Sequence, residues 1–256
     1  MSGISIGSLF SGIGGLELGL ERALGARTLW QIEQDPFCQR VLARHWPDAT
    51  RYDDVRTATA LPVVDVMCGG FPCQDISVAG KGAGLAGARS GLWTEFARLI
   101  GEGRPRVVVV ENVAALAGRG LDVVIRTLAD LGYVGSWNMV SAASVGAPHL
   151  RRRLFIVAAD ADRVGVRDQS EWHTRWCDAF RWARENVSVV DGEEWPFAGW
   201  NGGEPPPSVR RVDDGLFVGM DFTRRERLDG DRFSALGNAV APQVAEVVGR
   251  VVKDLL

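Results

Sequence analysis

Lysine is nearly missing from this chain, occurring only at Lys81 and Lys253, so arginine supplies almost all of the positive charge. The formal net charge of -3 argues against a generally basic surface that coats nucleic acid without selectivity. Cysteine is scarce too. Cys38, Cys68, Cys73 and Cys177 form no C-x-x-C pair, and the three histidines add few ligands, which excludes a zinc site and a disulfide framework as first readings. No apolar run approaches the roughly 18 residues of a spanning helix, and the N-terminal MSGISIGSLF lacks a charged n-region and a cleavage site. These absences predict a cytoplasmic protein with no membrane and no metal. What is present is ordinary for a globular fold: 46% apolar and 24% charged residues over 256 positions, enough for one substantial core with a small insertion.

Through residue 159, short apolar runs alternate with helical patterns: ISIGSLF with GGLELGLERAL, TLWQIE with PFCQRVLARHW, VVDVMCGG with SGLWTEFARLI, and RVVVVEN with LDVVIRTLADLG. The alternation predicts βαβ units, hence an α/β fold with a mostly parallel sheet covered on both faces. YVGSWNMVSAAS and RLFIVAAD then read as a terminal hairpin. Residues 161–233 lose the alternation and carry five tryptophans, at 172, 176, 182, 195 and 200. This segment is assigned as an inserted region, with 1–160 and 234–256 forming the main domain. In the last stretch Val244, Val247, Val248, Val251 and Leu255 repeat at helical spacing and predict a helix that packs back on the first domain.

The first strand runs into LFSGIGGLELG. Gly12 and Gly14 match the first two glycines of a dinucleotide fingerprint, but Glu17 occupies the third position, and no lysine completes a P-loop. An acidic residue in the first helical turn disfavours a pyrophosphate and is compatible with a cationic, phosphate-free ligand such as S-adenosylmethionine. Glu33, about 20 residues on, is placed to accept ribose hydroxyls. The plainer alternative stays open at this point: glycines that make a tight turn and a solvated glutamate.

The third clear strand delivers Pro72 and Cys73 to the carboxyl edge of the sheet, where ligands bind in such folds. Cys68, inside the strand, reads as an inert buried thiol; Cys73, in the loop beyond it, reads as a candidate nucleophile followed by a glycine-rich stretch. Glu111 ends a run of four valines, and a carboxylate there is costly unless paired or functional. Arg151 and Arg153 alternate onto one side of the next strand, and one of them is a candidate partner for Glu111.

Taken together, SLFSGIGGLELG, Glu33, YDDV, GGFPCQDIS, VVVENV, APHLRRRLF and ALGNAVAP stand in the order and rough spacing of motifs in the C5-cytosine DNA methyltransferases, and the chain resembles a compact bacterial or phage member. The resemblance covers 4–159 and 234–256 and implies a Rossmann-like fold of the S-adenosylmethionine-dependent type. It implies that Phe10, Gly12, Gly14, Glu33, Asp54, Val55, Pro72, Leu92 and Asn238 line the cofactor pocket. It further implies Cys73 as the nucleophile at cytosine C6, Glu111 at N3, Arg153 at O2, and Arg151 steadying Glu111, with the target base flipped out of double-stranded DNA. Residues 161–233 fall where the family places target recognition. A cognate restriction endonuclease is the partner that such enzymes imply; the oligomeric state is left open.

The sequence departs from the family pattern at His149, where glutamine is usual, and Ser77, Lys81 and Arg89 are candidate DNA contacts in the loop after Cys73. Two rival readings remain: cytosine methylation in RNA on the same scaffold, and a silent DNA-binding homologue.

Overall fold

A computed structural model describes residues 3–72, 91–145, 151–165, 168–186, 235 and 238–256. Cys73, Ser77, Lys81, Arg89, His149, Trp195 and Trp200 lie outside them. Seven strands form one sheet in the order β3-β2-β1-β4-β5-β7-β6. They are β1 (Ser5–Leu9), β2 (Arg27–Ile32), β3 (Thr50–Tyr52), β4 (Val66–Gly69), β5 (Val107–Val113), β6 (Tyr133–Ser141) and β7 (Arg152–Asp160). The first five pair in parallel, and β7 is antiparallel to both β5 and β6. The predicted α/β sheet and its closing hairpin are therefore present, with one addition. The short edge strand β3 lies in the stretch that carries YDDV and has too few residues to show a period.

Helices α1 (Gly15–Leu24), α5 (Gln169–Asn186) and α6 (Pro242–Lys253) share a core with one face of the sheet, while α3 (Gly91–Gly103) and α4 (Leu121–Asp130) share a core with the other. Helix α2 (Pro36–His45) packs with Ile13 and Trp46 in a third cluster. Alternation along the strands sorts the side chains: Val66 and Cys68 join the α1 face, Met67 the α3 face. Being covered on both sides is why β4 and β5 read as unbroken apolar runs. No helix among the described residues is long and apolar enough to cross a membrane.

Two features position the site. The first is the seam between α1 and α6. A Cβ on Gly15 would lie 2.0 Å from the Val240 carbonyl oxygen, one on Gly19 2.3 Å from that of Pro242, and one on Gly249 2.5 Å from the Ala23 Cβ. Small residues at Gly15, Gly19 and Ala23 thus let the C-terminal segment lie directly on α1, as the valine spacing predicted. The second is α5, which lies within the segment assigned as the inserted region. Trp172 and Trp176 are 2% and 3% exposed and sit in the main core with Ala179 and Ala183, so the described part of 161–186 belongs to the main body. The Arg250 guanidinium lies 3.9 Å over the Trp182 ring and Arg175 pairs with Asp254, tying α5 to α6 and the residue just beyond it.

Candidate active site

The strand order changes direction between β1 and β4, and a cavity of about 480 Å³ opens there at the carboxyl ends of the strands. Its glycine turn is built from three left-handed residues at alternate positions. Phe10 turns the chain in the left-handed region (φ 54°), an uncommon conformation for a bulky residue, and Gly12 and Gly14 follow at φ 56° and 85°. Phe10 and Gly12 line the cavity. Gly14 stands just behind that lining; a Cβ there would strike the Trp46 ring at 2.3 Å, so this glycine shapes the turn.

Glu33 braces that turn. One carboxylate oxygen accepts the Gly12 amide at 2.7 Å and the other the Asp35 amide at 2.8 Å, which leaves further acceptor capacity on both oxygens. Asp35 in turn caps α2, accepting from the Cys38 amide. Glu33, Asp35, Asp53 and Asp54 all border the cavity, with Val55, Leu92 and Pro72 as apolar walls. Four carboxylates repel a pyrophosphate and suit hydroxyl donors and cations. Asn238, Ala239 and Val240 complete the wall from the C-terminal segment. Asp35 and Asp53 were not picked out by sequence reasoning, although the acidic doublet at 53–54 was in view.

At the other end of the cavity stands Glu111. Its carboxylate accepts from the Arg153 Nε at 2.9 Å, and the two side chains are 10% and 18% exposed. Burial pushes the carboxyl up to about 7, opposed by the charges of Arg153 and Arg151. Strand register explains the pairing. Val113 lies opposite Arg153, so Glu111, two residues before Val113, shares a sheet face with Arg153 one diagonal away. Arg151 precedes β7 and donates instead to the Ala239 carbonyl oxygen. Arg153 thus pairs directly with Glu111, while Arg151 reaches the C-terminal wall of the cavity and its charge also bears on Glu111.

The chain leading to Cys73 is fixed from β5. Asn112 donates to the Phe71 carbonyl at 2.9 Å, holding the residues before Pro72 against the Glu111 strand. Gly70 leaves room for the carboxylate in its present position, since a Cβ there would come within 2.5 Å of Glu111 Oε2. Asn112 and Gly70 are thus site residues that lay unremarked inside ENV and GGFPC. Cys68 is wholly buried, and desolvation pushes its thiol well above the ordinary cysteine range, as suits an inert strand residue. Among the described residues, no cluster of three or more metal-ligating side chains occurs.

The family described as C-5 cytosine-specific DNA methylase matches residues 4–186. The chain belongs to that family. The type II methyltransferase M2.BsuMI of Bacillus subtilis is 31% identical over 286 residues, spanning 94% of this chain and 73% of that protein. M.HhaI of Haemophilus parahaemolyticus is 32% identical over 162 residues, covering 61% of this chain and 49% of the relative. The chain therefore spans most of one relative and about half of the other. The solved structure of the Entamoeba histolytica methyltransferase EhMeth superposes with a TM-score of 0.65 at 12% identity, each chain covered in full, which shows the shared fold.

Proposed function

We propose that this methyltransferase transfers a methyl group from S-adenosylmethionine to C5 of a cytosine flipped out of a short DNA sequence. The observation that carries the reading is one cavity bordered by Glu33, Asp35, Asp53 and Asp54 at one end and by the Glu111–Arg153 pair at the other, with Pro72, the neighbour of Cys73, on its wall. The acidic end fits an adenosyl ligand: Glu33 retains acceptor sites for ribose hydroxyls, Phe10, Val55 and Leu92 offer apolar surface to a purine, and Asn238 faces the same space. S-adenosylmethionine, when bound, supplies an electrophilic methyl group.

Cytosine C5 becomes nucleophilic only after addition at C6, the task assigned to the Cys73 thiolate. Glu111 is suited to give its proton to N3 as that addition proceeds, because a carboxyl held near 7 is substantially protonated at neutral pH. Arg153, whose guanidinium is held beside Glu111, is assigned to the cytosine O2, where it would offset developing negative charge. The enamine so formed takes the methyl group at C5; removal of the C5 proton then expels the thiolate. The base must leave the stack to reach this cavity. The remainder of 161–233, from residue 187 onward, is proposed as the target-recognition region, and a cognate restriction endonuclease as the functional partner, on the type II label of the relatives.

The test is incubation with labelled cofactor and DNA, with a parallel tRNA arm, followed by mapping at base resolution. DNA carrying 5-fluorocytosine at the target is expected to trap a covalent adduct, because fluorine cannot leave as a proton does. Adduct formation by Cys73→Ser would overturn the nucleophile, and labelling of tRNA alone would overturn the substrate.

A further inference from the structure

Glu17 is a second carboxyl at this cavity that the chemistry above leaves unused. It lies in the first turn of α1, borders the cavity beneath the glycine turn, and is 0% exposed. Its Oε1 receives a long 3.4 Å hydrogen bond from Gln31 Nε2, the Ser8 and Ser11 hydroxyls stand close enough to favour the charged form, and Oε2 and the Gln31 Oε1 have no hydrogen-bond partner within normal geometry. The groups around it are not cationic. Ser8 from β1, Ser11 from the turn and Gln31 from β2 are neutral; Cys68 from β4 and Glu21 on α1 can bear only negative charge; Cys38 from α2 borders the same cavity. Helix α6, packed on α1, carries Glu246 and Arg250, whose guanidinium lies over Trp182. Among the described residues no arginine, lysine or histidine forms an ion pair with Glu17.

A buried carboxylate without a cation is costly, and the helix N-terminus offsets only part of that cost. The missing positive charge is one that the proposed cofactor brings. We propose that Glu17 is a buried counter-charge for the sulfonium-bearing cofactor, making the cavity prefer S-adenosylmethionine to the thioether product left after methyl transfer. The inference rests on the cofactor reading given above. On transfer the methyl group departs without the sulfur's electron pair, the sulfonium becomes a neutral thioether, and the attraction that held the ligand over Glu17 is lost. Product release is thereby favoured by the chemistry itself. Burial pushes the Glu17 carboxyl up to about 7, with the Ser8, Ser11 and Gln31 side chains opposing the shift, so the group can exchange a proton for a cation near neutrality. Linkage fixes the sign: a cation that lowers this value binds more tightly as pH rises toward and past it, and releases a proton on binding.

Calorimetric titration of the full chain with S-adenosylmethionine and with its demethylated thioether product tests this between pH 5.5 and 7.5, mostly below the titration of the ligands' amino groups. The ratio of the two affinities is expected to rise about fivefold over that window, as a one-unit shift of the carboxyl requires. Glu17→Gln is expected to flatten the ratio and to weaken the cationic ligand several-fold at pH 7.5, leaving the product within about twofold. A ratio that does not change with pH in the unmodified protein overturns the proposal, and this arm stands even where the variant fails to fold. Equal weakening of both ligands by Glu17→Gln also overturns it, since that would mark a structural role. Binding of neither ligand would overturn the cofactor reading and this inference with it.

Discussion

Glu17 and Glu111 border one cavity, are almost wholly buried, and are both pushed up to about 7 by desolvation. Their surroundings differ. Glu111 has Arg153 at 2.9 Å and the charge of Arg151 behind it, fixed by strand register and by a glycine at position 70 that leaves room for the carboxylate. Glu17 has hydroxyls and an amide, and one oxygen without a partner. An acid that must give and recover a proton during each turnover needs a fixed neighbour. An acid whose partner arrives with the ligand must lack one beforehand. On the two proposed roles the same burial serves two ends, decided by whether the protein supplies the cation.

The comparison can be broken most sharply by Glu111→Gln. Loss of the proton donor is expected to slow methyl transfer by about 10²- to 10⁴-fold, with cofactor affinity unchanged, measured by single-turnover labelling and by titration. Equal loss of cofactor affinity would merge the two ends into one. The next effect is on stability. A carboxyl raised from 4.5 to about 7 in the folded state contributes stability present below the unfolded value, and that stability is lost as pH rises through the folded one. Glu17→Gln is therefore expected to gain roughly 3 kcal/mol relative to the unmodified protein between pH 4 and pH 8, read from urea unfolding without cofactor. A pH-independent difference would show that Glu17 is not the titrating group.

Gly70→Ala probes the other end. The new methyl group must displace the Glu111 carboxylate, with an expected cost of about 1–3 kcal/mol and a fall in rate; an unchanged rate would show that the glycine is not needed for the carboxylate's position. The smallest expected effect is that of Glu33→Ala. Removing the brace on Gly12 should weaken cofactor binding about tenfold, the worth of one charged hydrogen bond, with the methylated DNA sequence unchanged. A changed sequence would detach Glu33 from the cofactor end.

Much of this arrangement is legible in the chain before any coordinates. Apolar runs in register with helical patterns mark four of the five parallel strands and the closing hairpin, because burial on both faces leaves no polar positions to confuse the period. Strand β3 escapes notice because three residues carry no period. The partners of Arg151 and Arg153 are not readable, since alternation puts both on one side and only the β5–β7 register says which meets Glu111. The place of α5 was legible and passed over: positions 172, 176, 179 and 183 form a helical stripe of tryptophan and alanine, obscured by the charges around it. The burial of Glu17 has no signal in its own spacing, because the depth of the first turn of α1 depends on a segment more than two hundred residues away.

That distance bears on how the protein is made. The wall closing the cavity comes from Ala235, Asn238, Ala239 and Val240, and the segment is pinned on α1 by contacts that leave no space for a Cβ at Gly15 or Gly19. During synthesis, the sheet and the Glu111–Arg153 pair can form while α1 still exposes its bare glycine stripe, long before α6 emerges to cover it. The nascent chain thus acquires the edge that carries Glu111 and Arg153 first and the C-terminal wall of the cavity last, and a chain halted between the two would hold neither a closed cavity nor a protected α1.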